Sequence, residues 1–166
     1  MSQINLTMPD GSVRTVESGT TGLEIAKSIS EGLARKALGI KLNDKVLDLS
    51  RPLTEDGSFK IITASNDDPD ALMLLRHSCS HVMAEAICEL FPGTKLAYGP
   101  AVEKGFYYDL MTPTPLQQAD FEKIEKRMKE IIKEDRPFTR CVVSAQDGLK
   151  RTEGDKYKTD NAERAL

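Results

Sequence analysis

Gly19-Thr20-Thr21-Gly22-Leu23-Glu24-Ile25-Ala26 carries the signal on which the fold of the amino-terminal part turns. Thr21 followed by Glu24 is a capping box: the hydroxyl accepts from the third helical N–H while the carboxylate reaches back to the cap residue's own N–H. The helix it opens is expected to present Leu23, Ala26 and Ile29 on one face. Upstream, Ile4, Leu6 and Met8 alternate with polar residues, Asp10-Gly11 offers a turn, and Val13 and Val16 resume an extended pattern, which predicts a hairpin. Downstream, Gly39 reads as punctuation before short strands built on Ile40, Leu42, Val46, Leu47 and Leu49. Asp56-Gly57 turns the chain again before Phe59, Ile61 and Ile62. Hairpin, helix and further strands give an α+β order. Ser65-Asn66-Asp67-Asp68-Pro69 is a polar linker, so the expected division is a first domain over 1–64, a linker over 65–69, cut first in limited proteolysis, and a second domain over 70–166.

The second domain opens with the strongest helix pattern, about Asp70 to Leu90. Asp68 suits its cap, Pro69 its first turn, and Phe91-Pro92-Gly93 its end. Its expected apolar stripe is Leu72, Leu75, Val82, Ala86 and Leu90. Lys95 to Pro100 and Gly105 to Leu110 read as two strands joined by Ala101-Val102-Glu103-Lys104. A second helix is expected over Gln117 to Asp135, with Phe121, Ile124, Met128, Ile131 and Ile132 buried. Phe138 to Ser144 looks like one more strand, and beyond it Gly, Lys, Asp and Glu dominate up to Leu166.

The 166 residues are 39% hydrophobic and 30% charged, in the range of soluble globular chains. No apolar run is long enough to cross a bilayer, and the first residues have neither the basic nor the apolar region of a secretion signal. Three cysteines, Cys79, Cys88 and Cys141, are widely spaced with no CxxC pair, which suits reduced thiols in a cytoplasmic compartment. Residues 1–64 carry eight basic and eight acidic side chains, and the net charge is −3. No segment shows the basic footprint of tight, autonomous nucleic-acid binding.

The only two histidines, His77 and His81, sit in Arg76-His77-Ser78-Cys79-Ser80-His81. Four apart on a helix, they share one face, where imidazoles can hold a metal or transfer protons near neutral pH. A zincin would need Glu where Ser78 stands, and zinc would need further ligands. On spacing alone, two helix histidines without chemistry are the favoured reading. Against it stands the polar cluster interrupting an apolar helix, since buried polar atoms need partners. Tyr98-Gly99-Pro100 bends the chain, and Gly105-Phe106-Tyr107-Tyr108-Asp109 puts neighbouring tyrosines on opposite faces. Lys158, after Tyr157, is by itself an ordinary exposed lysine.

Taken together these segments resemble the amino-terminal part of bacterial threonyl-tRNA synthetases. Residues 1–64 are similar to the TGS domain, a ubiquitin-like β-grasp module, through Gly19 to Ala26, Leu33-Ala34-Arg35-Lys36-Ala37 and Asp48-Leu49. The run Arg76 to His81, Gly99-Pro100 and Gly105 to Asp109 resemble the editing domain, here a truncated α+β unit. The resemblance implies hydrolysis of mischarged Ser-tRNA(Thr), needed because one methyl gives a pocket only about 1–3 kcal/mol of discrimination. It implies that His77 activates or positions water, that His81, Gly99 and Tyr108 shape the site around the aminoacyl ester, and that Lys158 stabilises the oxyanion or leaving oxygen. Both histidines are expected to face a polar cleft shared with the strand carrying Tyr108.

The family completes this site with a Cys-x-x-x-His that this sequence lacks, along with the class II ATP-binding motifs and the anticodon-binding domain. The chain is therefore expected to be a fragment, without aminoacylation and feeble in editing alone. ATP, Mg and Zn are expected for the parent synthetase and no cofactor for the fragment, with His77 and His81 candidate metal ligands and Cys141 conceivable only if folding brings it near. The implied partner is tRNA(Thr), with no membrane association, a homodimeric parent and a monomeric fragment. The competing readings are a non-catalytic module binding tRNA or a protein partner, and a simple metal-binding domain.

Overall fold

The computed structural model describes residues 2–65 and 67–165. Asn66, within the expected linker, lies outside the described residues, as do Met1 and Leu166. Packing divides the chain into two units, the first ending at Leu75 and the second beginning at Arg76.

In the first unit, β1 (Gln3–Thr7) and β2 (Val13–Glu17) form the expected hairpin, with Ile4 opposite Val16 and Leu6 opposite Arg14. Helix α1 (Gly22–Ile29) follows, and its capping box forms: Glu24 N–H donates to Thr21 Oγ1 at 3.3 Å, and Thr21 N–H donates to the Glu24 carboxylate at 2.8 Å. Its buried face is Gly22, Ile25 and Ala26, so Ala26 is buried as expected while Leu23 is half-buried and Ile29 is 45% exposed; Gly22 packs closely on Ile40. Ser30 ends α1 and caps α2 (Glu31–Lys36). Strands β3 (Ala37–Leu42), β4 (Lys45–Leu47) and β5 (Gly57–Thr63) complete a five-stranded sheet of order β2-β1-β5-β3-β4. The central β1–β5 pair is parallel and the others are antiparallel. This is the α+β arrangement of a β-grasp. Ile4, Leu6, Ile25, Ile40, Leu42, Leu53 and Phe59 make its core.

Gly39 is not punctuation. It lies inside β3 at a register shift, where a Cβ would sit 3.1 Å from both the Leu47 carbonyl oxygen and Leu74 Cδ1. Close approach, rather than chain reversal, demands glycine there.

Helix α3 (Pro69–Leu90) starts in the first unit. Asp68 Oδ1 accepts from Asp70 N–H at 2.9 Å and Ala71 N–H at 3.2 Å, which satisfies the free N–H groups of its first turn. Lys60 and Lys41 pair with Asp68 and Asp70 at 2.7 and 2.9 Å. The expected stripe is only partly realised: Leu75 and Leu90 are exposed, while Ala71, Ser80, Ala84, Ala86 and Ile87 are buried.

In the second unit, the two long strands expected after α3 resolve into four short ones. β6 (Lys95–Tyr98) pairs with β9 (Asp109–Met111), while β7 (Ala101–Val102) and β8 (Gly105–Phe106) form a separate hairpin. Helix α4 (Gln118–Glu134) packs Ile124 and Ile131 against Ala86 and Ile87, with Met128 beside them. Phe121 and Ile132 remain exposed, because α4 carries more apolar residues than its contact stripe is wide. No strand forms over residues 138–144: the segment has no ladder partner among the described residues, Phe138 is 90% exposed, and Ser144 caps α5 (Ala145–Thr152). Asp155 then caps α6 (Lys156–Arg164).

Candidate functional site

The 3.6-residue period of α3 puts His77, His81, Ala84 and Cys88 along one face. The two imidazoles are exposed and stacked, with ring centroids 4.8 Å apart and planes 16° from parallel. Partial burial, then the charge of His77, push the His81 pKa below its ordinary value. A neutral imidazole at neutral pH is the form that accepts a proton from water.

Ser80, wholly buried, sits behind this pair. Its hydroxyl donates to the His77 carbonyl at 2.7 Å and approaches the Gly99 carbonyl at 3.3 Å, joining the helix to the bend after β6. A Cβ on Gly99 would overlap the Tyr108 ring, so glycine is required for the ring to lie against the backbone. Burial, and then Cys88, raise the Tyr108 phenol above its usual value. Arg76, preceding His77, reaches the β7–β8 turn through the Glu103 and Val102 carbonyls at 2.5 and 3.3 Å.

The expectation of one polar cleft shared by both histidines and a Tyr108 strand does not hold. His81 lines a cavity of about 560 Å³ with Glu85, Leu96, Ile131, Arg136 and Phe138. Tyr108 lies between β8 and β9, outside any strand, and lines another cavity of about 470 Å³ with Met83, Ile87, Leu116, Phe121 and Met128. The Tyr108 ring lies against Gly99, and its phenol feels Cys88. Lys158, on α6, is 4.0 Å from the Asp155 carboxylate with its side chain 58% exposed. Its charge acts on Cys88, drawing the thiol down against the larger upward push of burial. Cys88 is seven residues beyond His81, about 10 Å along the helix axis. The structure thus groups His77 with His81, joins His77 to Gly99 through Ser80, sets the Tyr108 ring directly against Gly99, and brings the charge of Lys158 to bear on Cys88.

Glu85 and Arg136 carried no weight in the sequence reading, and Ser80 and Cys88 entered it only as part of the polar cluster and as a widely spaced thiol. Cys88 stands eleven residues after His77, three helical turns, so periodicity places it on the histidine face. Arg136, 2.5 Å from Glu85, had no local signal.

Residues 4–63 match the TGS domain family. The chain is 49% identical over 159 residues to a threonine–tRNA ligase of Agrobacterium fabrum, covering 95% of this chain and 23% of that protein. It is 48% identical over 146 residues to that of Desulforamulus reducens, 88% of this chain and 23% of the relative. For Staphylococcus carnosus the identity is 44% over 160 residues, 96% and 24%. The chain carries a TGS domain and shares its sequence with the threonine–tRNA ligases. It spans about a quarter of the length of the curated relatives it matches. The TGS match coincides with the five-stranded unit, and the threonine–tRNA ligase similarity continues through the helix bearing the histidines into α5 and α6. No helix among the described residues is long and apolar enough to cross a membrane.

A metal does not fit the histidine pair as it stands. Imidazole lone pairs lie in the ring planes, and two nearly parallel planes do not converge on one ion. Among the described residues no group of three or more His, Cys, Asp or Glu side chains is placed to hold one.

Proposed function

We propose that this chain is the TGS domain and part of the proofreading domain of a threonine–tRNA ligase, divided as 1–64, a linker over 65–69, and 70–166, and that its second domain contributes to hydrolysis of Ser-tRNA(Thr). The observation that carries this reading is the exposed, stacked His77–His81 pair, held from behind by the Ser80 bridge to the Gly99 carbonyl. In the reaction, water adds to the ester carbonyl and gives its proton to a neutral imidazole. The carbon–oxygen bond to the ribose then breaks, and the ribose oxygen takes that proton. His77, the more amino-terminal of the pair, is the proposed base, and His81 shapes the site with Gly99 and Tyr108. Lys158 is the proposed source of positive charge for the oxyanion. ATP and Mg serve amino-acid activation in the parent ligase, and no step of the hydrolysis here is routed through a metal.

Deacylation of Ser-tRNA(Thr) and Thr-tRNA(Thr) should be measured with the chain alone and with the chain joined to the remainder of a relative carrying the Cys-x-x-x-His. The joined protein is expected to release serine much faster than threonine and to lose most of that rate in His77→Ala. The chain alone is expected to be slower by on the order of a hundredfold, because misaligning one wall of such a site costs about that much. Unchanged activity in His77→Ala would overturn the assignment. Binding of tRNA without deacylation by the joined protein would make the unit a binding module instead.

A further inference from the structure

Residues 99–108 leave the β6–β9 pair and return to it as one closed loop. Gly99 and the Tyr108 ring meet at its neck, and β7 and β8 run out from there to a turn over Glu103 and Lys104. The hairpin is held together by Ala101 opposite Phe106 and Val102 opposite Gly105, and among the described residues its strands pair with no other. A two-stranded hairpin with so short a ladder does not keep its place in water by itself. Among the described residues, the side-chain hydrogen bonds that reach it from the rest of the chain come from Ser80 and Arg76 of α3. Ser80 takes the neck, through the Gly99 carbonyl at 3.3 Å. Arg76 takes the tip: its Nη1 donates to the Glu103 carbonyl at 2.5 Å and to the Val102 carbonyl at 3.3 Å. The two tethers are one helical turn apart, about 6 Å along the axis. His77 stands between them in the sequence, with its imidazole exposed.

Val102 and Glu103 are exposed, so water can satisfy their carbonyls without any help from Arg76. What the contact adds is a fixed place for the hairpin against α3. One guanidinium nitrogen with two hydrogens meets two successive carbonyls, which a planar fork does and a freely turning ammonium does poorly. We propose that Arg76 is a positioning residue of the ester site: by pinning the β7–β8 tip, it holds the 99–108 loop alongside the helical turn that carries His77. The proposal rests on the hydrolase reading above. Arg76 touches no reacting atom and acts through the loop that bears Gly99 and Tyr108. If that loop drifts, the ester sits out of line with the imidazole. Drift harms alignment more than binding, so the loss falls on kcat rather than on KM.

The test compares deacylation of Ser-tRNA(Thr) by the joined protein described above with that by its Arg76→Gln, Arg76→Lys and Glu103→Ala variants. Arg76→Gln should lower kcat about tenfold, a part of the hundredfold that full misalignment costs, with KM close to the parent's. The midpoint of the pH–rate profile should not move, because the base is intact. Arg76→Lys keeps the charge and loses the fork, so its kcat should lie between the two, and it carries the test if Arg76→Gln does not fold. Glu103→Ala keeps its carbonyl and should match the parent. In the 166-residue chain, Arg76→Gln should quicken amide exchange over residues 101–106 and leave α4 protected. Far-ultraviolet circular dichroism establishes that each variant is folded. Parent-like kcat in a folded Arg76 variant, equal loss in Glu103→Ala, or unchanged exchange over 101–106 would overturn the proposal while the hydrolase reading stands. A shifted pH midpoint in Arg76→Gln would overturn it too, by showing that the guanidinium acts through its charge on the base. A joined parent protein that does not deacylate removes the hydrolase reading and this role of Arg76 together.

Discussion

The imidazoles of His77 and His81 lie face to face at 4.8 Å, on successive turns of one helix. Two positive charges at that separation repel, so the pair takes a second proton much less readily than the first. His81 is shifted below the ordinary histidine value of 6.5 by desolvation first and by His77 second. Its folded pKa is therefore below its unfolded one, and between the two values the unfolded chain binds more protons. The contribution to stability is complete above about pH 6.5 and is lost as the pH falls toward the lower folded value. Thermal unfolding followed from about pH 7.5 to pH 5 should show Tm falling through this window. His81→Gln should make that fall shallower, and an equal slope in both proteins would contradict the coupling.

Adding a methyl group at Gly99 forces it against the Tyr108 ring. Gly99→Ala should cost about 1–3 kcal/mol, the usual range for overpacking a contact that cannot relax freely. Tyr108→Ala removes the obstacle, so the double variant should be more stable than the two single losses add up to. Urea denaturation of the four proteins measures this directly.

Ser80→Ala removes a buried hydroxyl that reaches both the His77 and Gly99 carbonyls. The expected loss is about 1 kcal/mol, with faster amide exchange in the segment after β6. Retained protection there would mean that the hydroxyl does not hold the bend.

Thr21→Ala deletes one half of the α1 capping box and should destabilise the five-stranded unit by about 1 kcal/mol. The Glu24 carboxyl is held low by Thr21, through the backbone N–H and then the hydroxyl. A depressed carboxylate contributes stability above its unfolded pKa, near 4.5, which is lost as the pH falls through the lower folded value. The gap between parent and variant should therefore narrow in acid, as chemical denaturation at pH 7 and at about pH 3 would record.

Arg127 on α4 meets Glu89 of α3 and, on its own helix, Glu130 at 3.2 Å and Glu134 at 3.0 Å. Arg127→Met should lower Tm in low salt, and the difference should shrink at about 1 M salt, because exposed charge pairs are screened. A salt-independent difference would assign the effect to packing of the arginine stem.

Much of the first unit was legible because its signals are local. Ile4 and Leu6 alternate, Asp10-Gly11 turns, and Thr21 and Glu24 cap within four residues. Gly39 was misread because its reason is distant: the Leu47 carbonyl and Leu74 come from elsewhere in the chain. The 138–144 segment has a strand's composition, but composition does not reveal whether a neighbour exists to pair with it. The caps of α5 and α6, Ser144 with Asp147 and Asp155, were as local as Thr21 with Glu24, and the charged composition around them hid the signal. At the site, the spacing of His77 and His81 showed that they share a face. Their separation from the Tyr108 cavity depends on how the loop from Gly99 to Tyr108 folds, which no periodicity encodes.

The contact between Gly99 and the Tyr108 ring makes the two positions expected to evolve as one. A lineage that gains a side chain at 99 before losing the ring at 108 passes through an overpacked intermediate. One that loses the ring first passes through an intermediate with a void beside Met83 and Ile87 of α3. Either route crosses a less fit state, so the two positions are expected to change together or not at all. A library randomised at both codons and selected for folding should return glycine with an aromatic, or a larger residue with a small one, and few chains with bulk at both.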